Sequence, residues 1–233
     1  LAILVFFIGG ALSLFAFRAA TLKAGGLFAP ISREGALVLN NLILTTAAAT
    51  VLTGTLYPLV LEALTGEKIS VGPPFFNLTF GLLMLPLLLA VPFGPLLAWK
   101  RGDVFAAGQR LFAAVGVALV AAAAVIYAQN GGPVLAYFGI AIGFYMIAGS
   151  VTDLSLRAGV GKVAGNVAFR RFVGLPGSAF GTALAHIGVG VMVIGVIAVT
   201  AFETEHVVEM KPGMQVEAGG YTLTFDGMRR GQG

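Results

Sequence analysis

The sequence predicts an all-α polytopic membrane protein, with about six transmembrane helices followed by a short extracytoplasmic β-structured tail. Charged residues make up 10% of the 233 residues, hydrophobic residues make up 58%, and the mean hydropathy is +0.96. A soluble domain carries about 25% charged residues. A chain of this length cannot bury so much apolar surface in one soluble core, so lipid must solvate most of it.

Six apolar runs are long enough, or nearly so, to cross a hydrocarbon core of about 30 Å. They cover residues 1–17, 37–61, 76–99, 111–128, 134–151 and 180–202. These runs define a predicted transmembrane bundle of residues 1–202 and leave a predicted β-rich tail of residues 203–233. In the tail, Tyr221, Leu223 and Phe225 alternate with polar residues, a period-two pattern typical of a half-buried strand.

Basic residues are concentrated in alternate connections between the runs, and this asymmetry orients the helices. The second connection carries Lys68 beside Glu62 and Glu67, and the fourth carries no charge. Cytoplasmic loops are enriched in Lys and Arg, so the odd connections are predicted to be cytoplasmic and the tail to lie outside. No nucleic-acid partner is expected, because the basic residues do not form one face. Those of the odd connections are Arg18, Lys23, Arg33, Lys100, Arg101, Arg110, Arg157, Lys162, Arg170 and Arg171.

His186 is the one ionisable side chain well inside a predicted span, and such groups mark functional sites in membranes. Gly181, Ala185, Gly188 and Gly190 surround it and leave room for a bulky planar ligand. Neutral imidazole is a common axial ligand of haem iron. Two interpretations stay open: a haem ligand, or a His that hydrogen-bonds a neighbouring helix while the glycines allow close packing.

A haem held by His186 would need its second axial ligand from outside this chain. His206 lies 20 residues further on, which is about 30 Å along one helix axis, so one iron cannot contact both imidazoles. We expect His206 to be a surface residue. The chain has no Cys, so thiolate ligands and covalent haem attachment by this chain are excluded.

The outer connection of residues 66–77 combines two prolines, which fix φ, with aromatic residues suited to the membrane interface. It is either a docking surface for a partner or ligand outside the membrane, or an ordinary turn with an aromatic anchor. The residues proposed for docking are Lys68, Ser70, Gly72, Pro73, Pro74, Phe75 and Asn77.

Three further patterns concern helix packing. A stripe of Thr46, Thr50, Thr53 and Tyr57 on the second helix is expected to face other helices, either as packing or as the lining of a quinone or substrate cavity. Three prolines in the third helix should bend it and free carbonyl groups. The fifth helix carries a Gly-x-x-x-Gly motif at residues 139–143, which favours close packing.

Five stretches of the chain occur in a familiar order. They are Ser32-Arg33-Glu34-Gly35-Ala36, Leu39-Asn40-Asn41, Gly54-Thr55-Leu56-Tyr57-Pro58, residues 68–77, and Ala185-His186-Ile187-Gly188. Together they resemble the CcmF family, the large membrane subunit of the bacterial cytochrome c maturation haem lyase within the haem-handling protein superfamily. The resemblance covers nearly the whole chain, and the outer connection is its most specific part.

This resemblance implies a multi-pass protein of the bacterial inner membrane, with its tail in the periplasm. Family members take haem from a periplasmic haem chaperone and, with subunits that present apocytochrome c, help to attach it to Cys-x-x-Cys-His motifs. They also hold a b-type haem in the membrane, with quinol as a proposed electron source. His186 matches one of its two axial ligands.

The family's other haem ligands and its tryptophan-rich segment lie in an N-terminal part, so we expect this chain to be a C-terminal piece that is inactive alone. Two alternatives come from other classes of protein. One is a membrane carrier or ion-translocating subunit, whose path would follow the proline-broken helix and the Thr stripe. The other is a scaffolding subunit. The role of Ser32-Arg33-Glu34 beyond helix capping stays open.

Overall fold

A computed structural model describes residues 2–21, 26–129, 133–203, 207–218 and 220–228. Within these ranges the chain forms helices followed by one β-hairpin. The helices are α1 (Ala2–Ala19), α2 (Arg33–Thr65), α3 (Pro73–Ala90), a 3-10 helix (Val91–Leu96), α4 (Val104–Gln129), α5 (Val134–Ala158), α6 (Gly165–Val173) and α7 (Gly177–Phe202), and the strands are β1 (Gln215–Ala218) and β2 (Tyr221–Thr224).

Five of the described helical segments are long and apolar enough to cross a membrane: α2, α3 with the 3-10 helix, α4, α5 and α7. The predicted first span is α1, whose apolar part Val5–Ala19 is shorter. The all-α polytopic architecture is therefore confirmed. The helices extend past the predicted apolar runs, since α2 begins at Arg33 and α5 ends at Ala158. Long polar side chains near a helix end can reach the interface while the backbone stays helical.

Helix α5 lies between α4 and α7 and packs against both. On the α4 side, Leu111, Ala114 and Ala118 surround Tyr145 of α5 in a buried cluster. The two alanines of α4 leave room for the Tyr145 ring, as expected where close van der Waals packing holds helices together in lipid.

The predicted Gly-x-x-x-Gly motif forms the contact between α5 and α7. A Cβ atom at Gly139 would lie 2.8 Å from Cδ1 of Ile197, and one at Gly143 would lie 2.8 Å from the backbone O of Gly190. A larger residue at Gly143 would have to move the backbone of α7, whereas one at Gly139 would have to displace the side chain of Ile197. The close-packing prediction is confirmed.

The third span changes from an α-helix to a 3-10 helix among its prolines, and one carbonyl group is freed there as predicted. The α-helix continues through Pro86, ends at Ala90 and gives way to the 3-10 helix, which contains Pro92. Because Pro92 has no N–H, it cannot donate to the carbonyl of Leu89. The hydroxyl of Tyr145 donates to that carbonyl instead, at 3.3 Å.

Most of the Thr stripe of α2 does not face other described helices, contrary to the prediction. Thr46, Thr53 and Tyr57 are exposed and Thr50 is half-buried, whereas the buried side of α2 carries Ala47 and Gly54. The hydroxyl of Thr46 donates to the carbonyl of Leu42 at 2.8 Å. Threonine can satisfy its hydroxyl on the preceding helical turn, so these residues need no partner helix.

The tail forms an antiparallel hairpin in which Val216 pairs with Leu223 and Glu217 with Thr222. The predicted strand is confirmed, but its half-burial is not. Tyr221 and Leu223 are 75% and 55% exposed, because no described element packs on either face of the two strands.

Candidate functional site

The segment before α2 and the connection before α4 are joined by backbone hydrogen bonds. The N–H of Ala29 donates to the carbonyl of Lys100 at 2.8 Å, and the N–H of Gly102 donates to that of Ile31 at 2.7 Å. The first and third connections therefore lie at the same end of the bundle, as the charge pattern predicted. We call this end, which carries Arg33, Lys100 and Arg101, the basic end.

At the basic end, the start of α2 is held by its own sequence. Ser32 is fully buried, and its Oγ accepts from the N–H of Gly35 at 3.0 Å as the helix cap. Any Cβ at Gly35 would overlap the carbonyl O of Pro30. The Oε2 of Glu34 accepts from the N–H of Lys100 at 2.8 Å and ties α2 to the next connection.

We predict that Gly35→Ala will destabilise the basic end. The added methyl group would have to push away the backbone of Pro30, an overpacking that costs about 1–3 kcal/mol. The measurement is the temperature at which the purified full-length protein loses its monodisperse gel-filtration peak. Gly165→Ala is the matched control, because Gly165 starts α6 in open space. Equal temperatures for both variants would contradict this packing.

The guanidinium of Arg33 lies over the indole ring of Trp99, with its central carbon 4.9 Å from the ring centroid. Arginine stacks well on aromatic faces, and the contact fixes where a long, mobile side chain sits. Trp99, the last residue of the predicted third run, thus contributes a stacking surface to the basic end.

A cavity of about 290 Å³ opens between α2, the third span and α7. On α2 it is lined by Arg33, Leu37 and Asn40, which share one face at helical spacing. On α7 it is lined by Thr182 and His186, one turn apart. The third span supplies an apolar wall that includes Leu87, Val91 and Pro95.

His186 is partly buried and faces this cavity. The side-chain hydrogen bonds described for α7 are those of Thr182 and Thr200, both to carbonyl groups of the same helix. The interpretation in which His186 bonds a neighbouring helix therefore finds no partner among the described residues. Its ring nitrogens are available to a ligand.

The small residues around His186 point in different directions. Gly190 is buried against α5, where its added Cβ would lie 2.8 Å from the carbonyl O of Gly143. Ala185 and Gly188 are exposed and lie outside the cavity wall. Successive residues turn by about 100° around a helix, so only His186 and residues a full turn away can share the cavity face.

The outer connection is shorter than predicted. Pro73 and Pro74 occupy the first helical positions of α3, where their fixed φ favours helix initiation. Phe76 packs beside Gly54 of α2, with its ring Cε1 3.0 Å from where a Cβ would lie. Only Lys68, Ser70 and Gly72 of the proposed docking residues lie in the connection, whereas Pro73, Pro74, Phe75 and Asn77 belong to α3.

Sequence reasoning missed two features near the site. Asp153 lies beyond the predicted fifth run of residues 134–151 but inside α5, buried, with the Nε of Arg157 2.9 Å from both carboxylate oxygens. The four-residue spacing of this pair was a usable signal. Helix α6 was also missed. Its Phe172 packs edge-on against Phe180 of α7, with the ring centroids 5.2 Å apart. His206 lies outside the described residues.

No protein-family model and no solved structure matches the chain. The chain is 73% identical over 233 residues to the cytochrome c-type biogenesis protein CycK of Rhizobium meliloti. It is 38% identical over 236 residues to CcmF of Pseudomonas aeruginosa and 32% identical over 226 residues to CcmF of Escherichia coli. These alignments cover 100%, 100% and 97% of the chain but only 34%, 35% and 33% of the relatives. The chain thus spans about a third of their length, and over that span it belongs to the CcmF/CycK family of cytochrome c-type biogenesis proteins.

Proposed function

We propose that this chain acts in cytochrome c maturation as part of a CcmF-like subunit that holds a b-type haem in the membrane, with His186 as one axial ligand. The curated relatives are named cytochrome c-type biogenesis proteins, which supports the general role. One observation carries the site: the imidazole of His186 faces a cavity between three spans and has no hydrogen-bond partner among the described residues.

The residues present fit a haem. An unpartnered imidazole is the donor that haem iron prefers in this setting. The third span gives the cavity an apolar wall that includes Leu87, Val91 and Pro95, which suits an apolar ring. Haem bound here would supply a one-electron iron centre. This chain would hold one side of it and leave the second axial position to a residue from outside the chain.

In the wider process, the subunit would pass haem from a periplasmic chaperone to apocytochrome c presented by partner subunits, with quinol as the electron source. The subunit would lie in the bacterial inner membrane with its tail in the periplasm. The exposed connection with Lys68, Ser70 and Gly72 lies at the opposite end of α2 and α3 from the basic end. That position supports a partner contact on the periplasmic side.

A complementation assay tests the role. Full-length protein with His186→Ala is expressed in cells that lack the chromosomal copy, and c-type cytochromes are measured by haem staining. We expect the signal to be lost while the variant still copurifies with its partner subunits. His206→Ala is the matched control and should behave as wild type. Normal cytochrome levels with His186→Ala would reject the haem role and favour a scaffold.

A further inference from the structure

The side chain of Arg33 has a position that helix capping does not explain. Ser32 and Gly35 fix the start of α2, and Glu34 ties it to Lys100, all without the guanidinium. The guanidinium is instead stacked on Trp99, and Arg33 is one of the residues that line the cavity that His186 faces.

Arg33 also has no anionic partner among the described residues. The ion pairs found there are Lys68 with Glu62 and Arg157 with Asp153. The adjacent carboxylate of Glu34 accepts from a backbone N–H instead. A partly buried cation is stabilised most by a hydrogen-bonded anion, and guanidinium is shaped to bind a carboxylate through two N–H groups.

The cavity has its one positively charged side chain, that of Arg33, at the basic end, and the third span gives it an apolar wall. Arg33 is the first residue of α2 and marks the basic end, whereas His186 lies nine residues into α7, about 14 Å from that helix start. Asn40 lies two turns after Arg33 on the same face of α2 and also lines the cavity. Its side-chain amide makes one hydrogen bond in the structure, to Asn41. The remaining wall is largely apolar.

A ligand that matches this arrangement of side chains has three parts. They are a metal at the depth of His186, an apolar body along the third span, and acidic groups toward the basic end. Haem b has two carboxylates on one edge of an otherwise apolar ring. We propose that Arg33 binds a haem carboxylate, with Asn40 as a further donor, so that the acidic edge of the ring points to the basic end. This inference rests on the proposed haem function and assigns a role to the Ser32-Arg33-Glu34 segment.

The electrostatic consequence is measurable. A positive charge beside the haem disfavours the ferric state, which carries one more positive charge than the ferrous state, and so raises the midpoint potential. Arg33→Gln should therefore lower the midpoint potential. Loss of one charge-assisted hydrogen bond, worth about 1.5–3 kcal/mol, should weaken haem binding at least roughly tenfold. Arg33→Lys keeps the charge and should keep the potential close to wild type.

The experiment uses purified full-length protein, with haem per protein measured by pyridine haemochrome and the midpoint potential measured by redox titration. Arg101→Gln is the control, since Arg101 is an exposed cation of the basic end that does not line the cavity. Asn40→Asp is a second probe that places a negative charge on the same wall without touching the Trp99 contact. It should also lower the midpoint potential, and it replaces Arg33→Gln if that variant does not fold.

Each outcome is decisive. A lower potential in Arg33→Gln or Asn40→Asp, with Arg101→Gln unchanged, supports the proposal. Two results overturn the proposal: midpoint potentials and haem content equal to wild type in the cavity variants, or a shift in Arg101→Gln as large as that in Arg33→Gln. In either case, a normal b-type spectrum of the wild-type protein leaves the proposed function intact. A wild-type protein with no b-type spectrum would instead refute the proposed function itself.

Discussion

Replacing Gly143 with Leu is expected to separate α5 from α7 and to remove most of the correctly folded protein from the membrane. Even a single Cβ at this position would lie 2.8 Å from the backbone O of Gly190. A backbone oxygen cannot rotate away as a side chain can, so the helix itself must move. Overpacking of a core typically costs about 1–3 kcal/mol, and a leucine against backbone should exceed that range.

The measurement is the yield of monodisperse full-length protein after detergent extraction. Gly195→Leu is the matched control on α7, because a Cβ there would meet no atom within 4 Å. We expect its yield to equal that of wild type. Equal yields for Gly143→Leu and Gly195→Leu would contradict the α5–α7 contact.

This contact also determines where the haem-ligand candidate points. Gly190 lies one turn after His186 on α7. Because Gly190 is pressed against Gly143, the rotation of α7 about its axis is fixed, and His186 is directed to the cavity. The proposed role of His186 therefore depends on Gly143 and Gly190, neither of which lines the cavity.

The architecture could be predicted because its signals are local. A membrane span is visible as an apolar run, and the basic residues of the first and third connections predicted that these two connections share one end of the bundle. His186 stood out for the same reason, since an ionisable group inside an apolar run is costly wherever the helix packs. The Gly-x-x-x-Gly contact could be predicted in the same way, because small residues at that spacing allow another helix to approach closely.

The rest depends on contacts between distant segments. Arg33 and His186 are more than 150 residues apart in sequence, and nothing in either segment indicates that they share a cavity. Nothing in the sequence distinguishes Gly190 from Gly188, yet Gly190 packs against α5 and a Cβ at Gly188 would meet no atom within 4 Å. Pro73 at the start of α3 resembles a loop proline until the helix that follows is seen.

The second large effect concerns the haem itself. If His186 binds haem as proposed, His186→Gly should remove the low-spin b-type spectrum of the full-length protein, because the iron would lose one of its two proposed axial ligands. The missing side chain would leave a space on the cavity between α2 and α7, which His186 lines. Added imidazole can enter that space and supply the lost nitrogen without restoring any other contact of the residue.

The most direct test is therefore the reduced-minus-oxidised spectrum of purified full-length His186→Gly protein, recorded without and with imidazole. The spectrum should lack the b-type band in plain buffer and regain it when imidazole is added. A full b-type band without imidazole would contradict the assignment of His186 as an axial ligand.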